Sequence, residues 1–269
     1  MDTLAKRTQS DYLDPARAAA LHATLGHTGP LPKTGQALPS FWHYIYFWDA
    51  LQSYQLGRDG HPLPGGFLPD TGLPRRMWAG GQLEFLAPLL LGDPAEKRSE
   101  IKSVTHKTGR TGPLALVTVE HEFHQNGHEC IRERQDLIYR QDPDPDAPKP
   151  TSKLAPNDED ESQQVFFDST LLFRYSALTF NGHRIHYDRD YSRHIEGYPG
   201  LVVHGPLLAQ LLLHMAESIL GAVRSFTFRA TAPLFDFETA DICAKNEDGG
   251  LALWVRGPDG RECTVAQAR

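Results

Sequence analysis

The sequence has few cysteines and lacks any long apolar run. Its three cysteines, Cys130, Cys243 and Cys263, do not form a C-x-x-C pair, so neither a disulfide framework nor a thiolate metal site is indicated. No apolar run approaches the ~20 residues that a membrane-spanning helix needs, and the first seven residues lack the apolar core of a secretion signal. These absences predict a cytoplasmic protein with no membrane partner.

Positive charge is also scarce. The chain carries 34 acidic and 27 basic side chains, for a net charge of −7 at pH 7. It contains no basic block and no alternation of basic and aromatic residues, which argues against a nucleic-acid partner. A small anionic substrate would therefore need a local concentration of positive charge. With 269 residues, 40% of them hydrophobic, the chain can form one large domain or two smaller ones.

Residues 1–142 are predicted to form a mainly β-sheet half. A helix is predicted with Asp14 as its N-cap and Pro15 at its first position, ending before Gly26. The Asn126-Gly127 pair predicts a hairpin turn. Period-2 alternation predicts strands over residues 78–91, 101–107, 114–123 and 130–139.

Three other features of this half are interpreted as structural rather than functional. The aromatic segment 39–48 is expected to pack in the core, because large rings dominate cores generally. Residues 57–75 are rich in Gly and Pro and are predicted to form a loop. His121, His124 and His128 are not predicted to bind zinc, because Asn-Gly breaks any helix and strand alternation separates the first two histidines onto opposite faces.

Residues 143–162 are charged, rich in proline and nearly free of apolar side chains, so they are predicted to be an exposed linker. Residues 163–269 form the second half. Pro206 and Gly221 bracket a strongly apolar helix that should be buried on most sides. The predicted elements are a strand over 165–168, helices over 169–178 and 207–220, and strands over 223–229, 240–245, 251–256 and 262–268.

A polar turn leads into that apolar helix. Residues 180–188 read Phe-Asn-Gly-His-Arg-Ile-His-Tyr-Asp, and His204 and Gly205 stand just before Pro206. An imidazole titrates near neutrality, so His186 can exchange a proton at physiological pH. The backbone N–H of Gly205 has no partner within the helix and can stabilise developing negative charge. Together these groups predict a reaction centre with a potential base beside unpaired backbone donors.

These motifs resemble the MaoC-like hydratase and dehydratase family, whose signature is approximately G-D-x-N-P-x-H followed by a His-Gly pair at the start of the central helix. On this signature His186 matches the catalytic histidine and Gly205 the glycine. Two positions depart from it, because Asn181 replaces the usual aspartate and Arg184 stands where proline is common. The residues of both motifs are similar to those of type 2 hydroxyacyl-thioester dehydratases and of the mesaconyl-CoA and itaconyl-CoA hydratases.

The resemblance implies an α+β fold, a double hot dog in which two antiparallel sheets each wrap a helix. An internal repeat supports the duplication. Ala87-Pro88-Leu89 returns as Ala232-Pro233-Leu234, and the segment 126–130 returns in the same order as 259–263. The first half has no Asn…His-Gly equivalent, so it is expected to be degenerate and without catalytic residues.

The predicted site residues are assigned as follows. Asn181, His186 and Gly205 are the catalytic candidates, with Asn181 holding a water because an amide cannot act as a base. Arg184 is a candidate to bind a substrate carboxylate. The remaining candidates for substrate contact are His183, Tyr187 and Val203, and the candidates for coenzyme A phosphates are Arg75, Arg76, Arg189 and Arg193. His204 is expected to fix the loop.

The favoured prediction is a hydro-lyase that adds water to a short branched dicarboxylic enoyl-CoA, itaconyl-CoA or mesaconyl-CoA, to give citramalyl-CoA. One alternative is an (R)-3-hydroxyacyl-thioester dehydratase of fatty acid metabolism. The other is a catalytically silent hot dog that binds acyl-CoA. No metal and no cofactor are expected, since the coenzyme A thioester is itself the substrate, and a homodimer is considered.

Overall fold

The computed structural model describes residues 5–109, 112–142 and 151–269. One ten-stranded antiparallel sheet runs through the whole molecule in the order β1-β3-β4-β5-β2-β7-β10-β9-β8-β6. Its strands are β1 (Lys6–Tyr12), β2 (Arg75–Phe85), β3 (Pro94–Gly109), β4 (Gly112–Gln125), β5 (His128–Arg140), β6 (Glu161–Phe166), β7 (Ser225–Ala230), β8 (Thr239–Glu247), β9 (Gly250–Arg256) and β10 (Glu262–Ala268). No helix within the described residues is both long and apolar enough to cross a membrane.

The sheet consists of two equivalent halves that meet at β2 and β7. Adding five to each strand number of β1-β3-β4-β5-β2 gives the order of the second half, read from the opposite edge. This repetition is what two copies of one fold produce, and it confirms the predicted double hot dog. The two predicted sheets are joined edge to edge, because β2 pairs with β7 as well as with β5.

Gly80 allows the close approach of the two halves at this junction, and Gly81 allows the close approach of β5 to the other side of β2. A Cβ at Gly80 would lie 2.5 Å from the carbonyl oxygen of Phe228, and a Cβ at Gly81 would lie 2.7 Å from that of Arg134. Backbone atoms on both sides leave no room for a side chain at either position. The predicted strand over 78–91 is wrong at its end, since β2 stops at Phe85. Strand β1 was not predicted.

The central helix of the C-terminal half packs against strands β7 to β10. The helices of the protein are α1 (Pro15–Thr24), α2 (Ser169–Leu178), α3 (Arg189–His194) and α4 (Gly205–Leu220). In α4, Pro206 stands in the first turn and Gly221 ends the helix with a φ of +80°, as predicted. Its fully or almost fully buried apolar residues include Leu207, Leu208, Ala209, Leu212, Leu213 and Ala216.

Within the described part of the N-terminal half, no helix is comparable with α4. Its helix α1 has ten residues and packs against α2 and a 3-10 turn at Trp42–Ile45. The buried side chains of Phe41, Trp42, Tyr46 and Phe47 belong to a core cluster that contains residues from both halves. The prediction that this aromatic segment packs in the core is confirmed.

Two local predictions concern the connections between strands. Asn126 and Gly127 have φ values of +51° and +82°, as a two-residue hairpin turn requires. Residues 143–150 of the predicted linker lie outside the described residues. Residues 151–160 are largely exposed, but Glu159 forms an ion pair with Arg256 at 2.6 Å, and β6 begins at Glu161, within the predicted linker. The division into two halves and a linker stays a prediction.

The junction between the halves predicts a specific loss of stability in the Gly80→Ala variant. Its Cβ would meet the backbone of Phe228, which cannot move without breaking the β2–β7 pairing, so a loss of about 1–3 kcal/mol is expected. Gly66→Ala is the matched control, because a Cβ there meets nothing within 4 Å. Thermal melting of both variants checks this, and equal melting temperatures would refute it.

Candidate active site

The turn that carries the motif is held by its own asparagine. After α2, Phe180 takes a left-handed φ of +51°. The N–H of Asn181 donates to the carbonyl of Ser176 at 2.9 Å, and its side-chain oxygen accepts from the N–H of His183 at 3.0 Å. This Asx-type turn fixes the chain before the catalytic candidate. Asn181 was predicted to hold a water through both ends of its amide; one lone pair of its oxygen is used by His183, and the second lone pair and the NH₂ group are left for that role.

His186 is buried with one of its ring nitrogens fixed. Its side chain is 7% exposed, and Nδ1 lies 2.7 Å from the carbonyl oxygen of Val202. Because a carbonyl only accepts, Nδ1 carries the proton and donates it. In the neutral ring, Nε2 therefore presents a lone pair, which is what a general base requires.

His204 places His186 at the start of α4. The two rings stack with centroids 3.7 Å apart, and Nε2 of His204 pairs with the hydroxyl of Ser176 at 2.8 Å. Gly205 follows directly, and its N–H makes no hydrogen bond to any described residue. The predicted juxtaposition of imidazole and helix N-terminus is thus present, and the prediction that His204 fixes the loop agrees with these contacts.

Burial keeps the site histidines neutral. It lowers the pKa of His186 to about 4, although the hydrogen bond to the Val202 carbonyl acts in the opposite direction. Burial also lowers the pKa of His183 and of His204 well below the ordinary value, and neighbouring histidines add to the effect. At neutral pH the ring of His186 is unprotonated and can accept a proton.

A loop from the N-terminal half closes against the motif. The N–H of Arg184 donates to the backbone carbonyl of Asp59 at 2.8 Å. Gly60, with a φ of +85°, lies against Gly182 so closely that a Cβ would be 1.9 Å from the Gly182 oxygen. The half without catalytic motif therefore fixes the position of the catalytic turn.

The same loop adds a second hydrogen-bonded histidine. Nδ1 of His61 lies 2.8 Å from a carboxylate oxygen of Asp59, and its ring is 4.1 Å from that of His183, which in turn is 5.3 Å from that of His186. His204, His186, His183 and His61 thus form one continuous line of rings, here called the histidine row. Sequence reasoning missed Asp59 and His61, because a carboxylate two residues before a histidine in a Gly- and Pro-rich loop is a weak signal.

Asp59, His61 and His183 also have the spacing of metal ligands. Their potential ligand atoms lie within 4.8 Å of one another. However, the carboxylate of Asp59 already accepts from His61. The pKa of His61 is lowered to about 4, first by burial and then by the positive charge of Arg76, which would also repel a metal cation. Both features disfavour a cation, so the expectation of no metal stays a prediction.

The guanidinium of Arg184 is held by contacts within the protein. Its Nε and Nη2 atoms both donate to Asp188, at 3.0 and 2.7 Å, while Nη1 donates to the Arg58 carbonyl. The guanidinium also lies over the ring of Tyr191 at 4.3 Å. These contacts stabilise the loop and occupy the guanidinium in the absence of a substrate, so binding of a substrate carboxylate by Arg184 stays a prediction. Asp188 additionally caps α3 by accepting from the N–H of Tyr191.

Two other substrate candidates have structural contacts. The hydroxyl of Tyr187 donates to the Gly182 carbonyl at 2.8 Å, and the side chain is 45% exposed. Val203 is buried in the core, and its N–H donates to the carbonyl of Leu234. Neither contact requires a substrate. His183, by contrast, lies within the histidine row as its predicted role requires.

The arginines proposed for coenzyme A phosphates all have protein partners, and that of Arg76 is the hydroxyl of Tyr139. Arg75 pairs with Glu196, Arg189 with Asp236, and Arg193 donates to the Pro199 carbonyl. Two surface pockets of about 350 and 670 Å³ lie on the C-terminal sheet, lined among others by Arg256 and Trp254. Neither pocket includes the histidine row, so the site is identified by its side-chain geometry.

The lowered pKa values predict that acid destabilises the protein. His61, His186 and His214 titrate near 4 when folded and near 6.5 when unfolded. The unfolded state therefore binds more protons between these values, and the free energy of unfolding should fall as the pH drops from 6.5 towards 4. Urea unfolding at pH 7.5 and 5.0 measures this, and carboxylates with lowered pKa contribute only at more acidic pH. Equal stability at the two pH values would be inconsistent with buried neutral rings.

Comparison with known proteins agrees with the motif. The profile of the family described as hydroxyacyl-thioester dehydratase type 2 matches residues 41–236. A protein of Chloroflexus aurantiacus named mesaconyl-C(4)-CoA hydratase is 45% identical over 91% of this chain and 88% of its own length. This similarity extends well beyond the motif itself.

Solved structures agree with the fold. A MaoC-like dehydratase superposes with a TM-score of 0.71 at 14% identity, covering 99% of this chain and 97% of its own. A Mycobacterium tuberculosis protein described as having a double hot-dog fold gives a TM-score of 0.61 at 14% identity, over 100% and 96% of the two chains. On the evidence of the profile match, the sequence identity and the shared fold, the chain belongs to the hydroxyacyl-thioester dehydratase type 2 family of MaoC-like hot-dog proteins.

Proposed function

We propose that this hydro-lyase adds water to a short branched dicarboxylic enoyl-CoA, mesaconyl-CoA or itaconyl-CoA, to give citramalyl-CoA in a reversible reaction. The observation that carries the proposal is the buried His186 with Nε2 unprotonated, stacked beside the start of α4. The name of the Chloroflexus relative supports a hydratase acting on a coenzyme A thioester and favours a dicarboxylic acyl group.

In the proposed hydration of mesaconyl-CoA, Nε2 of His186 takes a proton from water as the water oxygen bonds to the β-carbon. The electron pair of the double bond moves towards the thioester oxygen, where the N–H of Gly205 stabilises the negative charge. One such donor is typically worth about 3 kcal/mol in the transition state. The proton then passes from His186 to the α-carbon, which restores the neutral ring. The NH₂ group of Asn181 can orient the water.

This chemistry is acid–base only, and in the proposal it needs no cofactor besides the coenzyme A of the substrate. The cytoplasmic location and the homodimer stay predictions. The family description gives a second candidate function, the dehydration of 3-hydroxyacyl thioesters. A monocarboxylic substrate of that kind needs an apolar acyl site, whereas a dicarboxylic substrate needs a cation near the reacting carbons.

The test is a set of assays on the purified protein that follow enoyl absorbance. Mesaconyl-, itaconyl- and crotonyl-CoA are supplied for hydration, and citramalyl- and 3-hydroxyacyl-CoA for dehydration. The proposal predicts the highest kcat/KM with a dicarboxylic substrate. Higher values with monocarboxylic substrates would favour the fatty acid dehydratase, and binding without turnover would favour a silent module. Dialysis against EDTA should leave the rate unchanged.

Replacing the proposed base should abolish most turnover. In His186→Ala no group accepts the water proton, and kcat should fall by at least about 10²-fold. His194→Ala is the control, because His194 lies in the neighbouring helix α3 but is exposed. Steady-state kinetics and circular dichroism of both variants provide the measurement. A folded His186→Ala enzyme with near-wild-type kcat would exclude His186 as the base.

The contact of the Asp59–Gly60 loop with Gly182 should be required for full turnover. A Cβ in Gly60→Ala would displace the Gly182 carbonyl and with it the catalytic turn, so kcat/KM should fall at least about tenfold. Gly65→Ala has a comparable φ of +88° but meets nothing within 4 Å. It therefore reproduces the backbone strain without the collision. Equal kcat/KM values for the two variants would show that the loop contact does not position the site.

A further inference from the structure

We propose that Arg76 binds the free carboxylate of the acyl group and thereby selects dicarboxylic over monocarboxylic substrates. The proposal deepens the function proposed above and rests on it. It replaces the role that the sequence assigned to Arg184, whose guanidinium is held by Asp188.

Arg76 lies on a strand that borders the site. It is the second residue of β2 and pairs with Tyr139 of β5. Trp78 follows two residues later, so both side chains point to the same face of the sheet. The Trp78 carbonyl oxygen is 4.0 Å from where a Cβ of Gly205 would be, and its ring stacks on Tyr44 at 5.2 Å. Arg76 therefore lies on the face of β2 that borders the start of α4.

The groups around Arg76 belong to the histidine row and its loop. Beyond the effect of burial, its positive charge contributes to the lowered pKa of His61 and of His183. The same charge helps to lower the pKa of Asp59 and opposes the burial-raised pKa of Tyr44. These effects are electrostatic and decline with distance, so they agree with a guanidinium directed towards the row.

Arg76 makes no salt bridge within 4.0 Å to any carboxylate of the described residues, and its neutral partner is the hydroxyl of Tyr139, the residue opposite it on β5. The neighbouring Arg75 pairs with Glu196 at 2.6 Å, and Asp59 is hydrogen-bonded to His61 instead. Burying a guanidinium is costly unless an anion compensates. A partly buried arginine without an acid partner, on the face of β2 that borders the start of α4, has the properties of a binding site for a substrate anion.

The chemistry of the substrate identifies that anion. In mesaconyl-C4-CoA the free carboxylate is bonded to the β-carbon, the atom that takes up the hydroxyl. The cation that binds this carboxylate must therefore lie near His186 and Asn181, the groups proposed to act on water. Arg76 lies on the face of β2 that borders the start of α4. The phosphates of coenzyme A are separated from this carbon by the whole pantetheine arm. A planar guanidinium can hold a carboxylate through two parallel hydrogen bonds, which a lysine cannot reproduce.

The experiment compares Arg76→Gln, Arg76→Lys and Arg184→Gln with the wild type. The measured quantity is the ratio of kcat/KM for mesaconyl-CoA to that for crotonyl-CoA, which has the same coenzyme A but no free carboxylate. Loss of a charged hydrogen-bonded pair should lower the ratio at least about 30-fold in Arg76→Gln. Arg76→Lys should retain part of it. Arg184→Gln should keep the wild-type ratio even if both rates fall.

Assays at pH 8 keep the site histidines neutral in every variant, and circular dichroism checks folding. If crotonyl-CoA turnover is too slow to measure, the ratio of dissociation constants for citramalyl-CoA and 3-hydroxybutyryl-CoA replaces it. An unchanged ratio in Arg76→Gln, or an equal loss with both substrates as expected for phosphate binding, would overturn the role of Arg76. A wild type that hydrates none of the thioesters would instead refute the proposed function.

Discussion

The hydrogen bond from Nδ1 of His186 to the Val202 carbonyl is the interaction on which the site depends. An imidazole has two nitrogens, and fixing the proton on one of them decides that the other is the base. Val202 precedes His204 and Gly205 by only a few residues. The same short segment therefore sets the tautomer of the proposed base, supplies the ring stacked against it and begins the helix that is proposed to stabilise the substrate oxygen.

Burial completes this arrangement at a cost in stability. A ring with a pKa near 4 is neutral throughout the physiological range, and the four rings of the histidine row lie together because none carries charge. Asn181 adds to the same pattern. An aspartate there would bring a negative charge beside these rings and raise their pKa values, whereas the amide leaves them unprotonated and uses its oxygen to hold the turn.

The N-terminal half explains why two hot dogs are retained in one chain. It has lost a long central helix and the catalytic motif, yet it contributes the loop of Asp59 and Gly60 that packs on the catalytic turn. Strand β2 carries Trp78 and Arg76 on the face that borders the N-terminus of α4. In this arrangement the C-terminal half carries the proposed base, and a loop of the N-terminal half packs against the turn that holds it.

Much of this could be predicted from the sequence where the signal is local. Helix α2 matches its predicted span, and Pro206, Gly221 and the Asn126-Gly127 turn act as predicted, because capping and turn chemistry depend on adjacent residues. Contacts between residues far apart in the chain have no comparable local pattern in the sequence. Asp59 and His61 reach the site only through the fold, and the pairing of Arg184 with Asp188 satisfied a side chain that the motif alone left available.

The most direct test is a long-range ¹H–¹⁵N correlation spectrum of the protein with ¹⁵N-labelled histidine, with His186 assigned by comparison with a His186→Asn variant. We predict a neutral ring at pH 7 with the proton on Nδ1, and a midpoint near pH 4 on acidification. A proton on Nε2 at pH 7, or a midpoint near the ordinary value of about 6.5, would contradict the assignment of His186 as the base.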